Sequence, residues 1–298
     1  MQVLQGVDEL RARIRHWRQL GQNVALVPTM GNLHPGHLRL VEQAKARAER
    51  CVVSIFVNPL QFGPQEDFDS YPRTLEDDRL KLADQGADVL FVPSVKEVYP
   101  RSLAAMTRIE VPGLSTILCG AARPGHFAGV ATVVTKLFNM VQPDMAVFGE
   151  KDWQQLLVIR RLTADLNLPI TIVGVSTHRE ADGLAMSSRN AYLSDAERCK
   201  APLLYASLKD SVQRLLNGDP DYPGIEMTAL VGLREAGFRP DYFLIRRATD
   251  LTEPQPGDTD LIVIAAAWLG KTRLIDNYPV ALEQLAVAPA NPSLSTTR

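Results

Sequence analysis

Two histidines three residues apart, His34 and His37, lie in the segment VPTMGNLHPGHLRL at 27–40, between an apolar run and an amphipathic one. A strand that enters a helix through a glycine-containing turn leaves the first N–H groups of the helix unpaired, and such groups attract anions. Imidazole donors beside those amides would suit a triphosphate whose charge shifts during a reaction. The same spacing occurs in surface residues on a first helical turn and in a metal site that lacks its third ligand. The spacing alone leaves these three interpretations open.

A second polar segment, GEKDWQQ at 149–155, follows another short apolar run. Lys151 can offer a mobile charge to phosphate oxygens, and Asp152 either caps the helix that follows or contacts a ligand. Gln155 lies four residues after Lys151 and shares its face of the first turn, although a lone glutamine is commonly a solvated surface residue. Gln61, in VNPLQFG, follows another strand. Two amides at one rim of a sheet favour a polar substrate.

A third segment, MSSRN at 186–190, offers two hydroxyls and a guanidinium. It precedes Ser194 and Glu197, whose spacing predicts a capping box at the start of a helix. A loop with these groups is suited to close over phosphates and to supply charge in a transition state. An ordinary serine-rich linker is the alternative interpretation.

The hydrophobic pattern predicts the elements that would position these segments. Strands are predicted at 24–27, 51–57, 87–93, 145–149 and 170–175, and helices at about 7–20, 36–48, 75–85, 129–141 and 153–167. This alternation predicts an α/β fold with a Rossmann-like, doubly wound parallel sheet. In the strand order 3-2-1-4-5, the turns after the first and fourth strands are neighbours at the carboxyl edge, where ligands bind in such sheets.

The pattern changes after residue 185, to helices at about 194–217 and 224–236 and to three short strands in YFLIRR, LIVIAAAWLG and KTRLIDN. These elements predict a smaller C-terminal α+β domain. We therefore expect a Rossmann-like domain over 1–185, a smaller lid domain over 186–282 and a flexible tail over 283–298, whose composition is polar and proline-containing.

Composition narrows the classes of partner. The chain has 298 residues, 46% of them hydrophobic, and a formal net charge of -2 with well-mixed signs, so a nucleic-acid or anionic-membrane partner is not expected. Cys51, Cys119 and Cys199 are too far apart for a disulfide framework or a CxxC metal pair, which favours a reducing cytoplasm. No signal peptide and no apolar run of membrane-spanning length is found in the sequence. Small molecules are the expected partners.

Six blocks of the sequence, in order, resemble the pantoate–β-alanine ligase family; they are PTMGNLHPGH, SIFVNPLQF, YPRTLEDD, RPGHFAGVATVV, FGEKDWQQ and EADGLAMSSRN. The likeness extends to AAWLGKTRLIDN, so it covers nearly the whole chain. The family belongs to the nucleotidyltransferase superfamily with an HxGH signature and is similar to class I aminoacyl-tRNA synthetases in fold and adenylation chemistry. The resemblance implies a cytoplasmic homodimer of the adenylyltransferase type that uses ATP with Mg2+.

The resemblance also implies a two-step reaction. The carboxylate of D-pantoate reacts with ATP to give pantoyl adenylate and pyrophosphate, and the amine of β-alanine then displaces AMP to form pantothenate. No covalent enzyme intermediate is required, and the sequence contains no serine in an elbow motif while Cys51 lies within a predicted strand. Positioning and charge stabilisation would carry the rate.

Site residues follow from the resemblance, position by position. It implies that ATP is bound by Met30, Gly31, Asn32, Leu33, His34, Pro35, Gly36, His37, Gly149, Glu150, Lys151, Asp152, His178, Met186, Ser187, Ser188 and Arg189. Of these, His34 and His37 contact the phosphates, with His37 as proton donor, and Lys151 and Arg189 stabilise the α-phosphate and the leaving pyrophosphate. Gln61 and Gln155 hold pantoate, and Gln61 also lies near the β-alanine site.

Four further positions have roles that the resemblance leaves less specific. His178 stands where relatives carry an apolar residue that faces the adenine. Asp77 and Asp78 are either ligands of Mg2+ or a solvated face of a charged helix. Arg123, in RPGHF, is expected to support the pocket.

Other functions are compatible with parts of the pattern. A nucleotide transferase of the same superfamily would join a nucleotide to a phosphorylated substrate, but GEKDWQQ with two rim glutamines favours a carboxylate acceptor. A nucleotide sensor without catalysis would not need both histidines, Lys151 and Arg189. A tRNA-charging enzyme is disfavoured because the smaller domain has no obvious basic surface.

Overall fold

A six-stranded parallel sheet forms the centre of the larger part of the molecule. A computed structural model describes residues 1–63, 66 and 68–282, so the predicted tail lies outside the described residues. The strand order is β1-β4-β3-β2-β5-β6, and the strands are β1 (Gln2–Leu4), β2 (Val24–Thr29), β3 (Arg50–Ile55), β4 (Val89–Phe91), β5 (Met145–Gly149) and β6 (Thr171–Val175).

The predicted doubly wound parallel sheet is confirmed, and its strand order is the one in which the two polar turns are neighbours. The five predicted strands correspond to β2 through β6, and their order in the sheet is 3-2-1-4-5 with every pair parallel. The sequence reasoning missed β1, which pairs with β4 at the edge of the sheet. Only Leu4 of its three residues is buried, so the strand is too short to show a period.

Helices cover both faces of this sheet. They are α1 (Val7–Gln19), α2 (Pro35–Lys45), α3 (Leu75–Asp84), α4 (Val95–Val98), α5 (Cys119–Ala122), α6 (His126–Val141) and α7 (Trp153–Asp165). One face packs against α1, α6 and α7, and the other packs against α2 and α3. Because the central strands are buried on both faces, they read in the sequence as continuous apolar runs without alternation.

A second, antiparallel sheet follows in the C-terminal part. It has the order β7-β8-β9 and consists of β7 (Arg239–Arg247), β8 (Asp260–Leu269) and β9 (Thr272–Ala281), preceded by α8 (Asp195–Lys200), α9 (Leu203–Leu216) and α10 (Tyr222–Glu235). The single helix predicted over 194–217 is wrong, because Pro202 separates α8 from α9. Proline has no N–H group to continue the hydrogen bonding of a helix.

Two cores meet at the C-terminal sheet. One of its faces, with Phe243 and Val263, packs against α9 and α10. The other face contributes Ile262 and Ile264 to the same apolar cluster as α1 and α6 of the larger part. No helix among residues 1–63, 66 and 68–282 is long and apolar enough to cross a membrane.

Candidate active site

The turn after β2 has an unusual backbone that explains its glycine and asparagine. Gly31 has a φ of +84° and Asn32 a φ of +52°, both in the left-handed region. A Cβ at Gly31 would stand 3.1 Å from Ile55 and 3.2 Å from the carboxylate of Asp78, so a side chain there would crowd its neighbours and strain the backbone. Asparagine is among the residues that tolerate this region best. The two residues turn the chain so that α2 begins at Pro35.

A buried carboxylate holds this turn in place. Asp78 of α3 is fully buried and accepts hydrogen bonds from the N–H groups of Asn32 (2.8 Å) and Leu33 (2.7 Å). Thr74 Oγ1 donates to the same carboxylate at 3.2 Å, and Lys81 donates to the Leu33 carbonyl at 2.8 Å. Asp78 is therefore not part of a solvated face, and the two amides that it occupies are not free to bind an anion.

The two histidines of the turn form a close, neutral pair. Their ring centroids are 4.0 Å apart. Burial lowers the pKa of His34 to about 3, assisted by His37 and Lys151, and burial together with Lys151 lowers the pKa of His37 to about 4. His37 Nδ1 accepts a hydrogen bond from the N–H group of His34 at 3.4 Å, so the neutral ring carries its proton on Nε2. His37 can therefore donate a hydrogen bond without carrying a charge.

Gly36 makes room for this pair. A Cβ at Gly36 would stand 2.9 Å from Cε1 of His34 and 3.6 Å from Cβ of His178. The glycine therefore lets the His34 ring fold over the start of α2. His178, which is exposed, lies beside the same turn.

The second segment forms a short 3-10 turn, Glu150–Asp152, between β5 and α7. The charge of Lys151 contributes to the lowered pKa of both His34 and His37, so this turn faces the histidine turn as predicted. Asn277 of β9 donates to the carbonyls of Glu150 and Lys151, both at 2.9 Å. Asp152 is exposed and makes no side-chain cap hydrogen bond to α7. Its capping role is therefore absent from this structure.

Gln61 lies on the histidine side of the site. Its Oε1 accepts from Asn58 Nδ2 at 3.0 Å, and its Nε2 lies 3.0 Å from Met30 Sδ. Its backbone carbonyl accepts from His126 Nδ1 at 2.8 Å and from Arg123 at 3.2 Å. Burial, with the neighbouring Arg123, lowers the pKa of His126 to about 4, so His126 is neutral as well. Arg123 thus supports the segment that carries Gln61.

The two adjacent glutamines of α7 have different environments. Gln154 is 3% exposed; its Oε1 accepts from the N–H group of Cys119 at 3.2 Å, and its Nε2 donates to the carbonyls of Leu114 and Ile117, both at 2.8 Å. Gln155 is half-buried, and within the described part of the chain its side chain makes no hydrogen bond. Gln154 therefore ties α7 to the irregular segment before α5, while the amide of Gln155 is available to a ligand.

The third segment follows a small hairpin. Arg179 and Ala185 form an antiparallel bridge, and the N–H group of Met186 donates to the His178 carbonyl at 3.0 Å. Ser187 caps the 3-10 turn Ser188–Tyr192 by accepting from the N–H group of Arg189 at 3.3 Å. Lys151 and Ser187 line one cleft. The segment therefore lies at the same site as Lys151.

Cys51 is not an activated nucleophile, and a protein-only metal cluster is lacking in the described ranges. Burial raises the pKa of the Cys51 thiol to about 12, so it remains protonated. Across residues 1–63, 66 and 68–282, no group of three or more His, Cys, Asp or Glu side chains is arranged to hold a metal ion. Asp77 is exposed, whereas the adjacent Asp78 is committed to the turn.

The structure brings most of the predicted site together. The contacts described above link seven of the predicted residues, namely Met30, His34, His37, Gln61, Lys151, His178 and Ser187. The sequence reasoning missed the roles of four buried polar residues that fix the site from behind, namely Asn58, Asp78, Gln154 and Asn277. Asn277 follows Asp276 at the end of the predicted strand KTRLIDN, where two consecutive polar residues give no sign of their burial. Each of the four also has a partner far away in sequence, such as Gly129 for Asn58 and Asn32 for Asp78, and no local pattern identifies those contacts.

The arrangement is suited to a phosphate-bearing substrate. Two neutral imidazoles and the ammonium group of Lys151 lie at the carboxyl edge of a doubly wound sheet, between β2 and β5. Such fixed donors stabilise negative charge that develops on phosphate oxygens, and they need little reorganisation as the charge grows.

Comparisons with known proteins identify the family. A profile of the family described as Pantoate-beta-alanine ligase matches residues 2–279. A pantothenate synthetase of Azotobacter vinelandii is 58% identical over 280 residues, which are 94% of this chain and 99% of that protein. A pantothenate synthetase of Pseudomonas aeruginosa is 54% identical over 283 residues, 95% of this chain and 100% of the relative.

Solved structures agree with this result. The crystal structure of a pantothenate synthetase from Thermus thermophilus has a TM-score of 0.87 and 46% identity, and the match covers 93% of this chain and 99% of that one. A pantoate-β-alanine ligase from Francisella tularensis, crystallised with β-γ ATP and β-alanine, has a TM-score of 0.76 and 32% identity over 93% of this chain and 97% of its own. The chain belongs to the pantoate–β-alanine ligase family.

Proposed function

We propose that this chain catalyses the ATP-dependent condensation of D-pantoate with β-alanine to give pantothenate, AMP and pyrophosphate. The observation that carries the proposal is the convergence of neutral His34 and His37 with Lys151 at the carboxyl edge of the sheet. The relative from Francisella tularensis binds an ATP analogue and β-alanine, two of the three proposed substrates.

In the first step, a carboxylate oxygen of pantoate forms a bond to the α-phosphorus of ATP, and the bond from that phosphorus to the bridging oxygen breaks to release pyrophosphate. His37 donates a hydrogen bond from Nε2 to a phosphate oxygen, and His34 contacts the phosphates beside it. Lys151 and Arg189 balance the charge on the α-phosphate and on the leaving pyrophosphate. Because both imidazoles are neutral, the site does not repel the ammonium and guanidinium groups that it also needs.

The remaining ATP contacts follow the same assignment. We propose that the turn from Met30 to His37 and the residues Gly149, Glu150, Asp152, His178, Met186, Ser187 and Ser188 surround the nucleotide. The neighbourhood of His178 and Gly36 supports a place for His178 at the rim of that pocket.

In the second step, the neutral amine of β-alanine attacks the carbonyl carbon of pantoyl adenylate, the bond from that carbon to the AMP oxygen breaks, and the nitrogen releases a proton to solvent water. Gln61 and Gln155 hold the hydroxyls and carboxylate of pantoate, and Gln61 also borders the β-alanine site. The Oε1 of Gln61 already accepts from Asn58 Nδ2 at 3.0 Å, so its amide group has a fixed orientation. An analogue that lacks a hydroxyl would leave such an amide without its hydrogen-bond partner, and the site would therefore discriminate strongly against that analogue.

We propose Mg2+ as the metal that accompanies ATP. Mg2+ keeps several waters and binds through one or two carboxylates together with substrate phosphates. The exposed carboxylate of Asp77, next to the residue that holds the histidine turn, fits this donor set, and the phosphates of ATP would supply the other oxygens. When bound, the ion neutralises charge on the phosphates. An Asp77→Asn variant should need more Mg2+ for half-maximal rate at fixed ATP, and an unchanged requirement would remove Asp77 from the metal site.

The same proposal covers the location, the oligomeric state and the domain organisation of the enzyme. The enzyme works as a cytoplasmic homodimer, as the family resemblance implies. Residues 1–185 form the domain that binds ATP and pantoate, and residues 186–282 form a smaller lid domain. The break between the parallel and antiparallel sheets supports this division.

The stoichiometry of products tests the proposal. Protein incubated with ATP, Mg2+, D-pantoate and β-alanine should form one AMP and one pyrophosphate for each pantothenate. Pantoate labelled with 18O in its carboxylate should transfer one labelled oxygen to AMP, because the carboxylate oxygen bonded to phosphorus leaves with the nucleotide. Formation of ADP, or AMP without label, would contradict an acyl-adenylate route.

A further inference from the structure

Two consecutive residues of β9 make polar contacts with two different segments of the proposed site. Asp276 is 3% exposed and Asn277 is 2% exposed. Because successive side chains of a strand point to opposite faces, Asp276 faces α9 while Asn277 faces the parallel sheet. The two side chains therefore leave opposite faces of the C-terminal sheet, and each contacts a different segment at the phosphate end of the proposed site.

Asn277 fixes the backbone of the Lys151 turn. Its Nδ2 donates to the carbonyls of Glu150 and Lys151, both at 2.9 Å, so both of its amide protons are used. These two carbonyls belong to the short 3-10 turn Glu150–Asp152, so the Asn277 side chain adds a fixed tertiary contact to two consecutive residues of that turn. The position of Lys151 thus depends on a residue about 126 places further along the chain.

Asp276 fixes the hairpin that precedes the third segment. It forms a two-pronged ion pair with Arg179, with Nη1 to Oδ2 at 2.6 Å and Nη2 to Oδ1 at 2.9 Å. Arg179 also donates to the Gly183 carbonyl at 3.2 Å and stacks 3.6 Å from the centroid of the Tyr205 ring. This hairpin leads directly into residues 186–189.

A contribution to the stability of the sheet does not by itself explain why buried polar residues stand at these two positions. A buried ion pair usually contributes no more stability than an apolar pair of similar volume. Two-pronged arginine pairs and doubly donating amides do, however, fix geometry in both distance and direction. An error of about 1 Å in a catalytic group costs on the order of 100-fold in rate.

We propose that Asp276 and Asn277 are positioning residues that hold the Lys151 turn and the 186–189 segment at a fixed separation. They act through Lys151 and Arg189 and do not touch the substrates. The inference rests on the roles that the proposed function gives to those two residues.

One variant tests each half of the pair. Asn277→Leu keeps a side chain that branches at Cγ and removes both hydrogen bonds to the turn, and Arg179→Lys keeps the charge but loses the two-pronged geometry. Each should lower the kcat of pyrophosphate exchange by about 10- to 100-fold, with the KM for β-alanine in the full reaction unchanged. Thr272→Val is the matched control, because Thr272 is also buried on β9, at 3% exposure, and should leave kcat within about twofold.

Double-mutant cycles separate positioning from a general structural role. The loss from Asn277→Leu should disappear in a Lys151→Ala background and persist in Arg189→Ala, and the loss from Arg179→Lys should show the opposite pattern. Additive losses in all four combinations, or a folded Asn277→Leu enzyme with wild-type kcat, would overturn the proposal. If Asn277→Leu does not fold, the Arg179→Lys cycle decides. Wild-type protein without exchange would instead refute the proposed function itself.

Discussion

Removal of the Asp78 carboxylate should disturb both stability and catalysis. The carboxylate accepts two backbone N–H groups, at 2.8 Å and 2.7 Å, from the turn that precedes the histidines. A hydrogen bond to a charged group contributes about 1.5 to 3 kcal/mol, so Asp78→Ala should lose about 3 kcal/mol or more of unfolding free energy. The Asp78→Asn variant should lose nearly as much unfolding free energy, because the NH2 group of asparagine would face one of the two backbone N–H groups and two donors cannot form a hydrogen bond.

The catalytic consequence follows from the same contacts. Without the carboxylate, the left-handed backbone at Gly31 and Asn32 loses its anchor, and the histidines that follow are displaced. We expect a fall of roughly 100-fold in pyrophosphate exchange. Urea unfolding and exchange rates should be measured together. Glu76→Ala is the matched control, because Glu76 is exposed in the same first turn of α3 and should change neither quantity appreciably.

The refuting result is specific. A folded Asp78→Ala protein with wild-type stability would show that the two amide contacts contribute nothing. A destabilised variant with unchanged exchange would show that the turn does not position the histidines.

Three further predictions concern the charged and polar groups of the site. Because burial lowers the pKa of His34 to about 3 and those of His37 and His126 to about 4, the unfolded chain binds more protons below pH 6.5, so the unfolding free energy should fall between pH 6.5 and 4. We expect a loss of about 2 kcal/mol or more in that window, measured by urea unfolding. Lys151→Ala should lower adenylation by about two orders of magnitude or more while the fold remains intact. Gln155→Ala should raise the KM for pantoate more than the KM for ATP in steady-state kinetics.

Each of these predictions has a contradicting outcome. Equal unfolding free energies at pH 7 and pH 5 would mean that the histidines are not held neutral by burial. Near-normal turnover of the Lys151 variant would remove that residue from the mechanism. Equal changes in both KM values for the Gln155 variant would overturn its assignment to pantoate.

The central sheet could be predicted because burial leaves a direct trace in the sequence. Strands β3 and β5 are covered on both faces and read as apolar runs, and the order of the strands then follows from their alternation with helices. The edge strand β1 could not be predicted, because only one of its three residues is buried. The break at Pro202 had a clear signal in the proline itself, which the helical pattern on either side obscured.

The parts of the site that are built from residues close together in the sequence could be predicted. The parts that depend on contacts between distant residues could not. His34 and His37 are three residues apart on one turn, so their proximity is local. Asp78 looked like its neighbour Asp77 on a charged helix, and only its contact with Asn32, 46 residues away, distinguishes the two. Gln154 shares the buried face of α7 with Leu157 and Val158, but an apolar pattern does not mark a polar residue as buried, and its partners Leu114, Ile117 and Cys119 lie 35 to 40 residues away.

The measurement that tests the central claim most directly is the exchange of labelled pyrophosphate into ATP, with Mg2+ and D-pantoate present and β-alanine absent. Reversible formation of pantoyl adenylate predicts exchange that requires pantoate, fails with other hydroxy acids and is lost in His37→Ala. Protein that binds ATP but shows no pantoate-dependent exchange would contradict the account.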